Sequence, residues 1–160
     1  MMHRNRSLAA RLALAVALML AQPAAAAAQS LDDFARSTLE IETADGASHE
    51  FQVYLARTPQ QHARGLMYVA ELPADQGMLF DYPRPRWVSM WMKNTLIPLD
   101  MLFIRTDGVI ANIAQRTVPG SLAVINSEGR ARAVLELNGG TAARLGIRPG
   151  DRVRHAIFGD

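Results

Sequence analysis

The chain has 160 residues, 49% of them hydrophobic and 20% charged, and no cysteine. This length suits one domain and this composition excludes a wholly disordered chain. The missing cysteine excludes disulfides, thiolate zinc sites, thiol nucleophiles and a lipidated N-terminal cysteine. A formal charge of +2 suggests an acidic partner, an indication that the first segment of the chain removes.

Arg4, Arg6 and Arg11 make a positive start, Leu12 to Ala21 is an unbroken apolar run, Pro23 ends it, and Ala24 to Ala28 is a small-residue stretch. This is the layout of a secretory signal peptide, with Ala26 and Ala28 as the A-x-A pair. The run is about half of the ~20 residues that a membrane-spanning helix needs, so no stable membrane insertion is expected after cleavage. Cleavage after Ala28 leaves 132 residues. It removes three of the 17 cations and none of the 15 acids, for a mature charge of −1. No Lys/Arg run remains to track phosphates, which disfavours nucleic acid. The expected location is periplasmic or secreted.

Residues 29–37 read as a flexible tail and 38–160 as a single domain. Thr38–Thr43 and Glu50–Leu55 are two expected strands around Ala44-Asp45-Gly46, a hairpin signal. Thr58-Pro59 starts a helix that runs to Arg64 and stops at Gly65. A short apolar run, Gly77–Phe80, precedes an extended connection at 81–86 imposed by Pro83 and Pro85. Trp87–Lys93 and Leu99–Ile104 are further expected strands. Asp107-Gly108 then turns the chain into Val109–Ala114. Residues 115–128 read as irregular, Ala131–Leu137 as a strand, Thr141–Leu145 as a short helix closed by Gly146, and Arg152–Phe158 as a last strand after Pro149-Gly150. The pattern predicts a mainly β domain, an antiparallel sandwich or barrel with one or two short helices.

The common catalytic signatures are absent: no G-x-S-x-G, no GxGxxG, no P-loop. His49, His62 and His155 lie on three separate elements and share no metal-ligand spacing. Each is expected at the surface or partly packed. Ser89 and Lys93 suggest a serine–lysine dyad only on a helix. On a strand they stand about 13 Å apart, so the dyad is set aside.

Two features rise above background. Asp100 sits in Pro98-Leu99-Asp100-Met101-Leu102-Phe103-Ile104 and Glu136 in Val134-Leu135-Glu136-Leu137. A carboxylate so surrounded is either on an outward face or buried with a cation or hydrogen-bond donors. Lys93, the single lysine beside sixteen arginines, is the candidate cation. Trp91 and Lys93 share one face of their expected strand, and Met90 and Met92 the other. The functional reading is a ligand pocket lined by Trp91, Lys93, Asn94, Asp100 and Glu136. The structural reading is an ion pair that locks the hairpin. Second, Met67, Met78, Met90, Met92 and Met101 cluster within residues 67–101. Thioethers suit Cu(I), which makes Met90 and Met92, with Trp91, an alternative metal site. The plainer reading is methionine filling irregular core space.

The blocks Gly65-Leu66-Met67, Gly77-Met78-Leu79-Phe80, Met90-Trp91-Met92-Lys93-Asn94-Thr95, Pro98–Ile104, Val134-Leu135-Glu136-Leu137, Gly140, Leu145-Gly146-Ile147 and Gly150-Asp151 resemble the domain-of-unknown-function 192 family across roughly residues 38–158. The resemblance implies a compact, mainly β domain of jelly-roll-like or barrel type, often exported by bacteria and archaea; it names neither an activity nor a ligand. The family's motif residues fall on Met90, Trp91, Lys93, Asn94, Asp100 and Glu136. The stretch Ala142–Asp151 also looks like a corner of PDZ domains, but it is a generic helix stop and turn without the glycine-rich carboxylate-binding loop.

The expectation is an exported β module that binds a small ligand or an envelope protein, without chemistry or a cofactor of its own. One alternative is an envelope-glycan hydrolase using Asp100 and Glu136 as an acid/base pair, which requires the two carboxyls about 5–9.5 Å apart and open to solvent. The other is Cu(I) handling through Met90, Met92 and Trp91, which requires the sulfurs to converge on one accessible point.

Overall fold

Alternation of apolar and polar residues makes the first strands, near-continuous apolar runs make the central ones, and glycine or asparagine makes turns between them. The protein is described by a computed structural model over residues 31–159. The elements in chain order are β1 (Ala35–Glu42), β2 (Ser48–Ala56), α1 (Pro59–Arg64), β3 (Gln76–Arg86), β4 (Ser89–Met90), β5 (Leu99–Ile104), β6 (Ile110–Ala114), β7 (Ile125–Asn126), β8 (Ala131–Asn138), α2 (Thr141–Leu145) and β9 (Arg152–Arg154). A 3-10 turn follows at Ala156–Phe158. The export segment expected at residues 1–28 lies outside the described residues, as do Gln29 and Ser30. Among the described residues no helix is long and apolar enough to cross a membrane.

Seven strands form one sheet in the order β6-β5-β8-β3-β2-β1-β9, and β4 and β7 form a separate two-stranded ribbon. The sheet curls until its edges meet: Val109, just before β6, bridges Arg152 of β9. The amides of Ile110 and Val153 donate across this seam to the carbonyls of Asp151 and Gly108. The result is the expected mainly β, barrel-like architecture with two short helices. Neighbouring strands are antiparallel except β2 and β3, which run parallel because α1 and the loop after it return the chain to the starting end of the sheet.

The sheet is apolar on both faces. Leu39, Ile41, Val53, Leu79, Leu102, Leu135 and Val153 fill the barrel. Met78, Phe80, Met101, Phe103 and Val134 face outward, where Leu66, Val69, Val88 and Met92 from the connecting loops cover them. All six residues of β5 are therefore buried. Gly77 of β3 sits where the sheet admits no side chain: a Cβ there would stand 2.6 Å from the Glu136 carbonyl oxygen and 2.7 Å from Leu137 Cδ2. Gly77→Ala is expected to destabilise the fold by about 1–3 kcal/mol through forced separation of β3 and β8. An unchanged urea midpoint would show that the strands yield without cost.

Several local expectations are met. Thr58 caps α1 through a reciprocal capping box with Gln61, and Gly146 ends α2 in the left-handed conformation. The β1–β2 hairpin turns through Gly46 at φ 87°, and Asp151 accepts from the Ala44 and Arg148 amides, tying that turn to the last one.

Other expectations are corrected. The tail expected at 29–37 is already part of the domain from Phe34, which is buried, and β1 begins at Ala35. The extended stretch 81–86 is the irregular end of β3, with a register shift between Asp81 and Arg86 where the prolines interrupt the ladder. The strand expected at Trp87–Lys93 is only β4. After Met90 the chain turns away, with Asn94 at φ 56°, and the Met92 amide bonds to Ser121 rather than to a sheet neighbour. The irregular stretch 115–128 contains β7. The last strand stops at Arg154, because His155 Nδ1 accepts from the Ile157 amide and starts the 3-10 turn.

Candidate functional site

Glu136 shares the outward face of β8 with Val134. It lies opposite Met78 of β3 and Met101 of β5, both fully buried. Its carboxyl is therefore set among thioethers and aliphatic carbons, with 4% of the residue exposed. Among the described residues no hydrogen bond or ion pair reaches it. Burial pushes its pKa up to about 8, because a carboxylate without a cation or donors escapes the desolvation cost by keeping its proton. At neutral pH it is a carboxylic acid, with one hydroxyl donor and acceptor oxygens.

A cavity of about 400 Å³ opens over this group. Its floor is Glu136, Phe80 and Tyr82. One wall is α1 and the turn after it, with His62, Arg64 and Met67, and the opposite wall is Val88 to Lys93. His62 Nε2 donates to the Ala56 carbonyl at 2.9 Å, which leaves Nδ1 as the acceptor. The ring leans on Tyr82 at 4.8 Å between centroids. Burial, and after it the neighbouring Glu136 charge, pushes the Tyr82 phenol up to about 12. Its hydroxyl donates to Met90 Sδ at 3.7 Å. At the rim Trp91 is 49% exposed, with Lys93 Nζ 5.2 Å from its ring centroid. Arg86, also lining the cavity, lies 5.7 Å from the Tyr82 ring. Arg64, Arg86 and Lys93 thus border a cavity in which Glu136 is the one acid among the described lining residues.

Of the residues expected from the sequence, Trp91, Lys93 and Glu136 come together here. Asn94 does not line the cavity. It is the left-handed hinge of the Trp91–Thr95 turn: its amide donates to Met67 Sδ at 3.9 Å, and its carbonyl accepts from the amide of Tyr68, itself at φ 63°. Asp100 lies elsewhere. It pairs in register with Leu137, so it points to the opposite face of the sheet from Glu136. It is fully buried. Oδ1 accepts from the Arg116 and Gly140 amides at 2.8 and 2.9 Å, and Oδ2 from the Ala142 amide at 2.8 Å. Gly140, the N-cap of α2, has no side chain, so Asp100 performs the capping from β5. The expected Lys93 ion pair is absent for both carboxyls among the described residues. Backbone amides satisfy one carboxyl and a retained proton the other. An acid/base pair of Asp100 and Glu136 is ruled out, because Asp100 is sealed on the far side of the sheet.

The two methionines of the alternative metal site diverge. Met90 borders the cavity, whereas Met92 is fully buried with its sulfur 3.0 Å from the Thr117 hydroxyl. Ser89 donates to Asn126 at 2.7 Å rather than engaging Lys93. In the sequence His62 stood out only as an isolated histidine, Arg64 as a helix end and Met67 as one of the clustered methionines; that all three reach the cavity depends on the β2–α1–β3 crossover. Arg86 followed the prolines that marked it only as connection.

A family model for DUF192, described as "Uncharacterized ACR", matches residues 40–155. The fold is similar to that of a Sinorhizobium meliloti 1021 protein described as a candidate transcription regulator. That protein is 48% identical, with 78% of this chain and 96% of that one covered and a TM-score of 0.76. It is also similar to a protein of unknown function from Novosphingobium aromaticivorans DSM 12444. Identity there is 42%, coverage 75% and 85%, and the TM-score 0.73. No curated protein matches the chain. With nearly three quarters of its length inside the family model, the chain belongs to the domain-of-unknown-function 192 family.

Proposed function

We propose that the protein is an exported binding module whose cavity takes a small ring-bearing ligand with polar, anionic substituents. The observation that carries this reading is Glu136: a buried carboxyl with no partner among the described residues, in the floor of an open cavity. Such a group costs stability, and a ligand hydroxyl or carbonyl supplies the hydrogen bonds it lacks. Trp91 offers a flat, half-exposed face on which a sugar or other planar group can stack. Arg64, Arg86 and Lys93 favour a negative substituent at the rim. The export layout of residues 1–28 supports a location in the periplasm or outside the cell. The description given to the S. meliloti protein fits this chain poorly, since no Lys/Arg run spans a nucleic-acid backbone.

The test is saturation-transfer NMR with a panel of neutral monosaccharides, uronic acids and aromatic carboxylates. Trp91→Ala is expected to fold normally, because the ring is half exposed, and to weaken any panel binding at least about tenfold. Glu136→Leu should also abolish binding, while Glu136→Gln, which keeps a donor and an acceptor, retains most of it. Unfolding of Trp91→Ala would make the tryptophan a packing residue. That result, or a panel in which nothing binds, would end the proposal.

A further inference from the structure

Among the described residues, every large apolar side chain that is strongly exposed lies in one part of the molecule. These are Trp87, Trp91, Leu96, Val118, Leu122 and Val124, each between 49% and 69% exposed. They come from two segments, 84–98 and 115–127, that fold as a lobe beside the barrel. The β4–β7 ribbon joins the segments. The Met92 amide donates to the Ser121 carbonyl at 3.0 Å, and the Gly120 amide reaches the carbonyls of Met92 and Thr95 at 3.1 Å. A monomeric domain rarely concentrates its exposed apolar surface this way without a partner.

The charges of the lobe identify the partner. The two segments carry Arg84, Arg86, Lys93 and Arg116 and not one aspartate or glutamate, and all four cations are exposed. A second copy would bring the same four cations against these, which like-charge repulsion opposes. Tryptophans and aliphatic residues on exposed loops, with cations around them, suit a bilayer interface: the rings and branched chains enter the headgroup boundary, and the cations meet anionic headgroups. We propose that this lobe docks the protein on a lipid bilayer bearing anionic headgroups. Trp91 and Lys93 belong to the lobe and to the rim of the cavity, so docking brings the cavity mouth to the bilayer. The proposal does not require the cavity to hold a ligand.

The experiment is vesicle co-sedimentation, with tryptophan emission as a second readout. It compares vesicles of phosphatidylglycerol mixed with phosphatidylcholine against phosphatidylcholine alone. The variant is Trp87→Ser/Leu122→Ser/Val124→Ser, whose three positions are exposed and lie outside the cavity, so the pocket reading stands or falls separately. The whole chain and residues 29–160 are taken side by side; a chain of which this one covers 96% crystallised with this fold. Expected are binding of both forms to the anionic vesicles, a blue shift of emission, loss in about 0.5 M salt, and at least about tenfold weaker binding by the triple variant at an unchanged thermal midpoint. Four results overturn the proposal. One is binding by the whole chain alone, which belongs to residues 1–28. Another is equal binding to neutral vesicles. The third is undiminished binding by the triple variant. The last is a wild-type dimer in sedimentation velocity that the variant dissociates, which gives the surface to a second copy.

Discussion

Asp100→Ala is expected to lower the free energy of unfolding by roughly 3–5 kcal/mol, one of the two largest single-residue effects anticipated for this chain. The loss does not come from a stranded cation, since Asp100 has no ion pair among the described residues and its oxygens accept from backbone amides. It comes from three buried or half-buried amides, those of Arg116, Gly140 and Ala142, which bond to the carboxylate at 2.8–2.9 Å and would find no substitute in alanine. Each such donor left unsatisfied costs on the order of 1–3 kcal/mol. The effect spreads because the three amides belong to the loop after β6 and the start of α2, so one side chain of β5 fastens both to the barrel. Asp100→Asn, which keeps one oxygen for Arg116 and Gly140 but turns an amide group toward Ala142, should fall between alanine and wild type. Urea midpoints at constant m-value measure this. A shift under about 1 kcal/mol for alanine would mean that water replaces the carboxylate without difficulty.

The second large effect is a pH dependence. Glu136 has an ordinary value of 4.5, and burial raises it to about 8 in the folded protein. Between these values the folded state holds a proton that the unfolded state has released, so the unfolded state binds fewer protons and stability falls as pH rises. The contribution of this group is complete below about 4.5, declines through the interval and is lost above about 8. The full span is on the order of 5 kcal/mol. Glu136→Gln removes it: wild type and variant should have similar stability near pH 4.5, and the variant should be clearly more stable near pH 9. Urea unfolding at several pH values decides the matter, and parallel curves would place the carboxyl in contact with solvent. A ligand hydrogen-bonded to the protonated acid would raise stability most at neutral pH and below.

These two carboxyls also show how far the sequence alone reaches. Both were visible as single acids in apolar strands, a setting that allows either an outward face or burial with a partner, and the structure buries both. What separates them is register. Asp100 aligns with Leu137 and Met101 with Glu136, which sends the two side chains through opposite faces of one sheet, and pairing register across 36 residues leaves no trace in either segment. The partners were equally hidden, because they are backbone amides of loops whose paths depend on the completed barrel. The alternation of Met90 and Met92 against Trp91 and Lys93 was legible as inside and outside, and it holds although most of that stretch is not a strand. His62 and Arg64 were legible as helix residues. Their arrival beside Glu136 depends on the parallel crossover between β2 and β3, a topological fact that no local spacing encodes.

The way the barrel closes has a consequence for its motions. β1 and β2 are joined along eight paired residues, whereas the edges β6 and β9 meet through one bridge, Val109 to Arg152, and a few flanking backbone bonds. Local opening begins where the fewest bonds must break, so the amides around Val109 and Arg152 will exchange with solvent before those of the central strands. β3 and β8, which carry the cavity floor, lie two strands or more from either edge of that seam. The molecule breathes on the side away from its cavity, and the floor that holds Glu136 stays rigid while the barrel opens and shuts behind it.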